Sequence, residues 1–123
     1  MVTKTSRRSV DETVGLLTEL VAAKGLKLFA VFDHSGEARA AGLELRETKV
    51  VVFGSPAAGT PVMEAAPLAA LDLPLKVLVW DDGGETRVTY ASPAELAERH
   101  GLSDELASRL AGIDALTDAV VEG

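Results

Sequence analysis

The most constraining feature of the sequence is a hairpin pattern between residues 75 and 91. Two runs suited to strands, Leu75–Trp80 and Glu85–Ala91, flank the tetrapeptide Asp81-Asp82-Gly83-Gly84. Glycine reaches the positive φ angles that tight hairpin turns require, so the segment predicts two antiparallel strands joined by a short turn. A chain built on such a hairpin is expected to form a largely antiparallel sheet.

Helix starts are indicated by capping patterns. Ser9 with Glu12, and Ser92 with Glu95, have the spacing of a capping box, in which each residue's side chain bonds the backbone of the other. The two other predicted helix starts are Thr60, which precedes a proline, and Ser103. The helix after Ser103 is predicted to continue past Gly112, where glycine weakens it.

Two more strands, Leu26–Asp33 and Lys49–Phe53, complete the predicted set. The order α-β-β-α-β-β-α-α predicts the α+β class, with a largely antiparallel four-stranded sheet and helices on one face. The 123 residues suit one domain. We expect residues 1–8 to form an N-terminal tail and residues 9–121 to form the single α+β domain.

Composition argues against several classes of function. The net charge of −7 disfavours binding to nucleic acid or to an anionic membrane surface, because both require clustered Lys and Arg. The absence of cysteine removes disulfides, thiolate nucleophiles and cysteine metal sites. No targeting segment is recognisable near the N-terminus, so a cytoplasmic, soluble protein is expected.

The strongest signal for a site is the predicted loop Gly54–Thr60, which has the layout Gly-x-x-x-x-Gly-Thr between a strand and a helix. Phosphate-binding loops occur in this context. However, Thr60 and Pro61 occupy the positions where such loops need Lys and a magnesium-binding hydroxyl, so a nucleoside triphosphatase is not predicted. The helix N–H groups and the hydroxyls of Ser55 and Thr60 remain able to hold a carboxylate or phosphate. The alternative is a capped strand-to-helix turn that binds nothing.

The candidate ligand-binding residues are expected to surround this loop: His34, Ser55, Gly59, Thr60, Met63 and Trp80. An alternative hypothesis is an enzyme in which His34 is the general acid or base, assisted by Asp33 or Tyr90. The alternative explanation of His34 is a solvated strand end, and that of His100 is a cation at the negative end of a helix. No metal-ligand spacing is present, and no cofactor is expected.

Several separated motifs resemble one known family. They are Phe32-Asp-His34, Phe53-Gly-Ser-Pro-Ala-Ala-Gly-Thr-Pro-Val-Met63, Val79-Trp-Asp81 and Tyr90-x-x-Pro-x-x-Leu96. Over about residues 8–120 the chain resembles the bacterial and archaeal domain of unknown function 302. The resemblance implies a small α+β fold, a compact homodimer and no established activity. This chain has Ser55 and Ala57 where the family's loop has Asn and Lys, which removes a charge that could hold an anion.

The preferred hypothesis is a homodimeric binding module for a small, anionic or amphipathic ligand. A second copy is expected to cover the sheet face left open by the helices, because the third strand is apolar on both sides between Val77 and Trp80. The alternatives are the His34 enzyme and a structural or interaction protein without a small-molecule site. Neither nucleic acid nor a membrane is expected as a partner.

Overall fold

The computed structural model describes every residue from Met1 to Gly123. Five strands form one sheet in the order β1-β5-β4-β3-β2, and each neighbouring pair is antiparallel. They are β1 (Val2–Ser6), β2 (Lys27–Asp33), β3 (Thr48–Gly54), β4 (Leu75–Asp82) and β5 (Glu85–Tyr90). The α+β class and the antiparallel sheet predicted from the hairpin are therefore confirmed.

The helices follow the predicted capping signals in most places. They are α1 (Val10–Ala23), α2 (His34–Ala40), α3 (Pro56–Ala65), α4 (Pro93–His100), α5 (Asp104–Ser108) and α6 (Gly112–Glu122), with a 3-10 helix at Pro67–Leu71. The capping boxes at Ser9 and Ser92 are both formed. Gly83 and Gly84 both have positive φ, which confirms the tight turn between β4 and β5.

The prediction of four strands was wrong because the chain begins with a strand where a tail was expected. β1 pairs with β5 from Val2 opposite Tyr90 to Ser6 opposite Thr86. The alternation of inward and outward residues in β1 is hidden in the sequence, because the inward face carries the charged residue Lys4. The Lys4 ammonium donates a hydrogen bond of 2.6 Å to the Thr117 hydroxyl, and it lies 2.8 Å from an Asp118 carboxylate oxygen. A partly buried charge needs such partners, and both lie far away in the sequence.

The number of helices also differs from the prediction. A helix, α2, begins directly at the end of β2, because the Asp33 side chain caps it by accepting a hydrogen bond from the Gly36 N–H. The helix predicted after Ser103 is divided into α5 and α6 by a turn at residues 109–111. None of the helices combines the length and the apolar composition needed to cross a bilayer.

Two hydrophobic clusters hold the fold together. The larger cluster packs α1 and α6 against one face of the sheet, with Leu17, Phe53 and Leu116 among its most buried side chains. The smaller cluster joins α3, the 3-10 helix, α4 and the segment after α5 through Val62, Ala69, Leu96 and Leu110. Leu75, at the start of β4, packs against both clusters. The boundary between the clusters therefore lies at the end of the sheet where β3 ends and β4 begins.

Candidate functional site

A cavity of about 430 Å³ lies where the two hydrophobic clusters meet. Phe53 and Ile113 border it from the larger cluster and Leu110 from the smaller one. Its other lining residues are Leu26, Phe29, Gly54, Ser55, Pro56, Ala58, Gly59, Thr60, Met63, Leu73, Pro74, Leu75, Arg109 and Gly112. Four of the six predicted ligand-binding residues, Ser55, Gly59, Thr60 and Met63, are therefore brought together at one cavity.

Small residues of the chain leave this space open. Gly54 ends β3, and Ala58 and Gly59 lie in the first turns of α3. A Cβ atom added at Gly59 would lie 3.8 Å from the Met63 methyl group and 3.9 Å from Leu73 Cδ1, which are ordinary contact distances. An added Cβ therefore fits on this side of α3, in contact with Met63 one turn further along the helix and with Leu73 after the 3-10 helix.

The predicted loop is in fact almost entirely helix. α3 begins at Pro56 with Ser55 as its cap, so Gly59, Thr60 and Pro61 lie inside the helix and Thr60 is not the cap. The sequence contains two Ser/Thr-Pro pairs, and each satisfies the rule that a cap precedes a proline. The chain uses the first pair. Pro61 offers no N–H to the carbonyl group of Ala57 four residues earlier, but Ala57 is exposed and water can reach that carbonyl.

The start of α3 offers fewer hydrogen-bond donors than the predicted loop did. The N–H of Ala58 donates to the Ser55 hydroxyl oxygen at 3.3 Å, and the N–H of Gly59 donates to the Ser55 carbonyl at 2.8 Å. Pro56, the first residue of the helix, has no N–H. The helix start is therefore largely satisfied by its own backbone and cap, and the cavity beside it has mainly apolar walls.

His34 and Trp80 do not reach the cavity. In the sheet, Lys27 of β2 lies opposite Gly54, whereas Asp33 lies opposite Lys49, six residues further along. Six residues of strand span about 20 Å. His34 follows Asp33 directly. Trp80, on β4, lies opposite Thr48 at the start of β3. Both residues are therefore at the far end of the sheet from Gly54. His34 is exposed and its ring stacks on Phe32, while the Trp80 indole N–H donates to the Thr89 hydroxyl at 3.0 Å.

The groups proposed to assist His34 in acid–base catalysis are each engaged in other contacts. Asp33 caps α2, and hydrogen bonds from the Gly36 N–H and the Ser35 hydroxyl hold the pKa of its carboxyl below the usual value. Tyr90 is buried in the larger cluster and donates its phenol hydrogen to Asp114. The proposed pairing would need Asp33 or Tyr90 within hydrogen-bond reach of His34 around one cavity, and both groups are instead held by other partners.

Sequence reasoning missed the side of the cavity formed by distant residues. This side consists of Arg109 and Leu110 from the turn between α5 and α6, and of Gly112 and Ile113 from the start of α6, all more than 50 residues after the Gly54 junction. The apolar spacing of Leu106, Leu110 and Ile113 was visible as a helix face, but it carries no information about which surface that face meets. Only the tertiary packing brings this turn against α3.

A cluster of three polar side chains lies behind one wall of the cavity. His100 Nε2 is 2.6 Å from an Asp72 carboxylate oxygen, and the Arg99 guanidinium is 3.0 Å from the same oxygen. Leu73, next in the chain after Asp72, lines the cavity. His100 was interpreted as a cation compensating its helix end, whereas the structure pairs it with the segment after the 3-10 helix. The cluster thus ties this wall to α4.

Replacing Asp72 is expected to make the protein less stable in a pH-dependent way. The hydrogen bond from His100, with Arg99 contributing, holds the pKa of Asp72 below its usual value of 3.8. A carboxyl group whose pKa is lowered in the folded state stabilises that state above its unfolded pKa and loses this effect as the pH falls through the folded pKa. Asp72→Asn should therefore lower the free energy of unfolding by about 1 kcal/mol at pH 7.

Urea denaturation between pH 7 and pH 3 measures this effect. The difference between wild type and Asp72→Asn should shrink as the pH falls below 3.8. Asp104→Asn is the matched control, because Asp104 is an exposed residue in the first turn of α5. A difference for Asp72→Asn that is constant over this range would contradict the assigned role of the carboxylate.

Comparison with known proteins decides the family. Residues 2–120 match the family described as "Domain of unknown function DUF302". The chain belongs to the DUF302 family. Its fold matches the crystal structure of an uncharacterized conserved DUF302 protein from Bacillus stearothermophilus with a TM-score of 0.81, covering 98% of this chain and 94% of the other. The two sequences are 20% identical, so this likeness establishes the shared DUF302 fold.

Curated relatives of this DUF302 chain come from Brucella. Proteins named fluoride-specific ion channel FluC 1, from Brucella suis biovar 1 and from Brucella abortus biovar 1, are each 40% identical to it over 110 residues. The match covers 87% of this chain but only 43% and 41% of the two relatives. The DUF302 chain therefore corresponds to less than half the length of each relative.

Proposed function

We propose that this protein is a binding module for a small, mostly apolar molecule held in the cavity between α3, β4 and the α5–α6 turn. The observation that carries the proposal is the cavity itself. Its volume of about 430 Å³ falls within the ~300–1,000 Å³ range typical of small-molecule sites. The cavity is also partly open to solvent, so a ligand can reach its apolar walls.

The composition of the walls supports the same proposal. Phe29, Phe53, Met63, Leu73 and Leu110 present aromatic, thioether and branched aliphatic groups to the cavity. Such surfaces favour the transfer of an apolar molecule out of water at roughly 25 cal/mol for each Å² buried. Methionine is flexible and polarisable, which suits a site that adapts to its ligand.

Titration with N-phenyl-1-naphthylamine tests the proposal. This dye is uncharged at neutral pH, and its emission rises in apolar surroundings. We expect a saturable increase in fluorescence with a stoichiometry of one dye per chain. Emission that rises linearly with dye concentration, or a stoichiometry far from one, would show that the cavity does not act as a binding site.

We also infer that a second copy of the chain covers β2. This strand is one of the two outer strands of the sheet, and an outer strand offers unpaired backbone groups for association. It carries four apolar side chains that are each more than 40% exposed: Leu28, Phe29, Val31 and Phe32. Phe29 also lines the cavity, so a second chain at this edge would lie beside the cavity.

The mass in solution tests the association. Light scattering coupled to gel filtration at micromolar concentration should give the mass of two chains, and Val31→Lys should reduce it to that of one. The exposed Leu68→Lys on the 3-10 helix is the matched control and should leave the dimer intact. A wild-type mass of one chain would contradict the inference without affecting the proposed cavity site.

By the same proposal, the segment of the longer Brucella proteins that matches this chain binds a ligand. It does not extend the channel activity in their names to this chain, which corresponds to 43% of the Brucella suis protein.

A further inference from the structure

Arg109 is the only charged side chain among the 17 residues that line the cavity. The chain as a whole carries 19 acidic and 12 basic residues, yet none of the acidic ones borders this space. A charge at the wall of an apolar cavity acts on a ligand more strongly than the same charge in bulk water. The cavity therefore has a positive bias in a protein whose net charge is −7.

The guanidinium group of Arg109 is available to a ligand. Its side chain is 40% exposed, and its nearest carboxylate, Glu105, lies at 3.7 Å, too far for a hydrogen bond. The Glu105 side chain is itself 83% exposed, and such surface ion pairs contribute little. An incoming anion can therefore replace this pairing at small cost.

The position of Arg109 relative to the apolar walls indicates the shape of the ligand. Arg109 follows the end of α5, where a half-exposed side chain has contact with both water and the cavity. Ile113, four residues later, is 1% exposed and lines the interior of the same cavity. A molecule that contacts both Arg109 and Ile113 has a charged group at the entrance of the cavity and an apolar body inside it.

We propose that the ligand is an amphipathic anion, an aliphatic or aromatic chain ending in a carboxylate or phosphate group, and that Arg109 binds the anionic group. This inference rests on the proposed function of the cavity and specifies its ligand class. The planar fork of a guanidinium matches the two oxygens of a carboxylate, and a single-point ammonium matches them less well. The apolar body of the ligand would occupy the space between Phe53, Met63 and Leu110.

Displacement of N-phenyl-1-naphthylamine by matched ligands tests this assignment. Decanoate and 1-decanol share a ten-carbon chain and differ in the charged group, and both are used below the concentration at which decanoate forms micelles. Decyl phosphate distinguishes a phosphate from a carboxylate head. At pH 8, we expect the affinity of the wild-type protein for either anion to be about tenfold higher than its affinity for decanol. This difference is the effect of a charge-assisted hydrogen bond.

Substitutions then assign the preference to a residue. Arg109→Met should abolish the preference for anions, so that decanoate and 1-decanol displace the dye at similar concentrations, and Arg109→Lys should retain part of the preference. Arg46→Met, at an exposed position outside the cavity, is the control and should behave as wild type. Equal displacement by decanoate and decanol in wild type, or a preference that survives Arg109→Met, would overturn the inference. A protein that binds neither the dye nor either ligand would instead refute the proposed function.

Discussion

Phe53→Ala is expected to lower the free energy of unfolding by about 3–5 kcal/mol, the range measured when large aromatic residues in protein cores are truncated. Phe53 is 1% exposed, belongs to the larger hydrophobic cluster and forms one wall of the cavity. Its removal would join the vacated space to an existing cavity, so the surrounding side chains cannot close it by a small shift. The loss in free energy of unfolding should be well above the ~1 kcal/mol typical of point substitutions.

Phe32→Ala is the matched control for this prediction. Phe32 lies on β2 and is 53% exposed, so its truncation should change the free energy of unfolding by less than about 1 kcal/mol in the monomer. Denaturation at two protein concentrations separates any contribution from association, because the unfolding of a monomer does not depend on concentration. Equal losses for the two variants at low concentration would contradict the placement of Phe53 between core and cavity.

The second large effect is expected at Gly59, where a leucine should fill the cavity. An alanine Cβ would already be in contact with Met63 and Leu73, and the further carbon atoms of leucine would extend into the cavity itself. We expect Gly59→Leu to weaken dye binding at least tenfold. The fold should not suffer, because replacing a glycine inside a helix by leucine raises helix propensity by up to about 1 kcal/mol.

Gly15→Leu provides the control that separates these effects. Gly15 lies inside α1, is exposed, and has no atom within 4 Å of an added Cβ. Both variants should therefore gain stability in thermal denaturation, and only Gly59→Leu should lose binding. Dye affinity that is unchanged in Gly59→Leu, or lost equally in both variants, would place the binding site elsewhere.

Local signals in the sequence were sufficient for much of the fold. The paired glycines after Asp82 determined the β4–β5 turn, and the boxes at Ser9 and Ser92 determined where two helices begin. Each of these features is decided by groups within four residues of one another, so the sequence alone contains the information. The antiparallel sheet followed from the hairpin.

Features that depend on distant partners could not be predicted in the same way. β1 is recognisable as a strand only once Lys4 is paired with Thr117 and Asp118, more than 100 residues later. The start of α3 was ambiguous because Ser55-Pro56 and Thr60-Pro61 satisfy the same capping rule. In such cases, tertiary packing selects one of several local solutions.

Only the part of the candidate site that is local in the sequence was predicted. Ser55, Gly59, Thr60 and Met63 lie within nine residues of one another and reach the cavity together. His34 was expected beside them, but β2 and β3 are antiparallel neighbours, so the end of β2 lies at the opposite end of the sheet from the end of β3. Arg109, the one charged residue of the cavity, was not singled out, because nothing near it in the sequence marks it as part of a site.

We propose above that a small amphipathic anion binds in the cavity between α3 and the α5–α6 turn. Titration of ¹⁵N-labelled protein with decanoate, followed by backbone amide chemical shifts, tests this claim most directly. The claim predicts saturable shifts concentrated at Gly54, Gly59, Leu75, Leu110 and Gly112, with little change at Trp80 or around His34. Shifts confined to the far end of the sheet, or no saturable shifts at all, would contradict it.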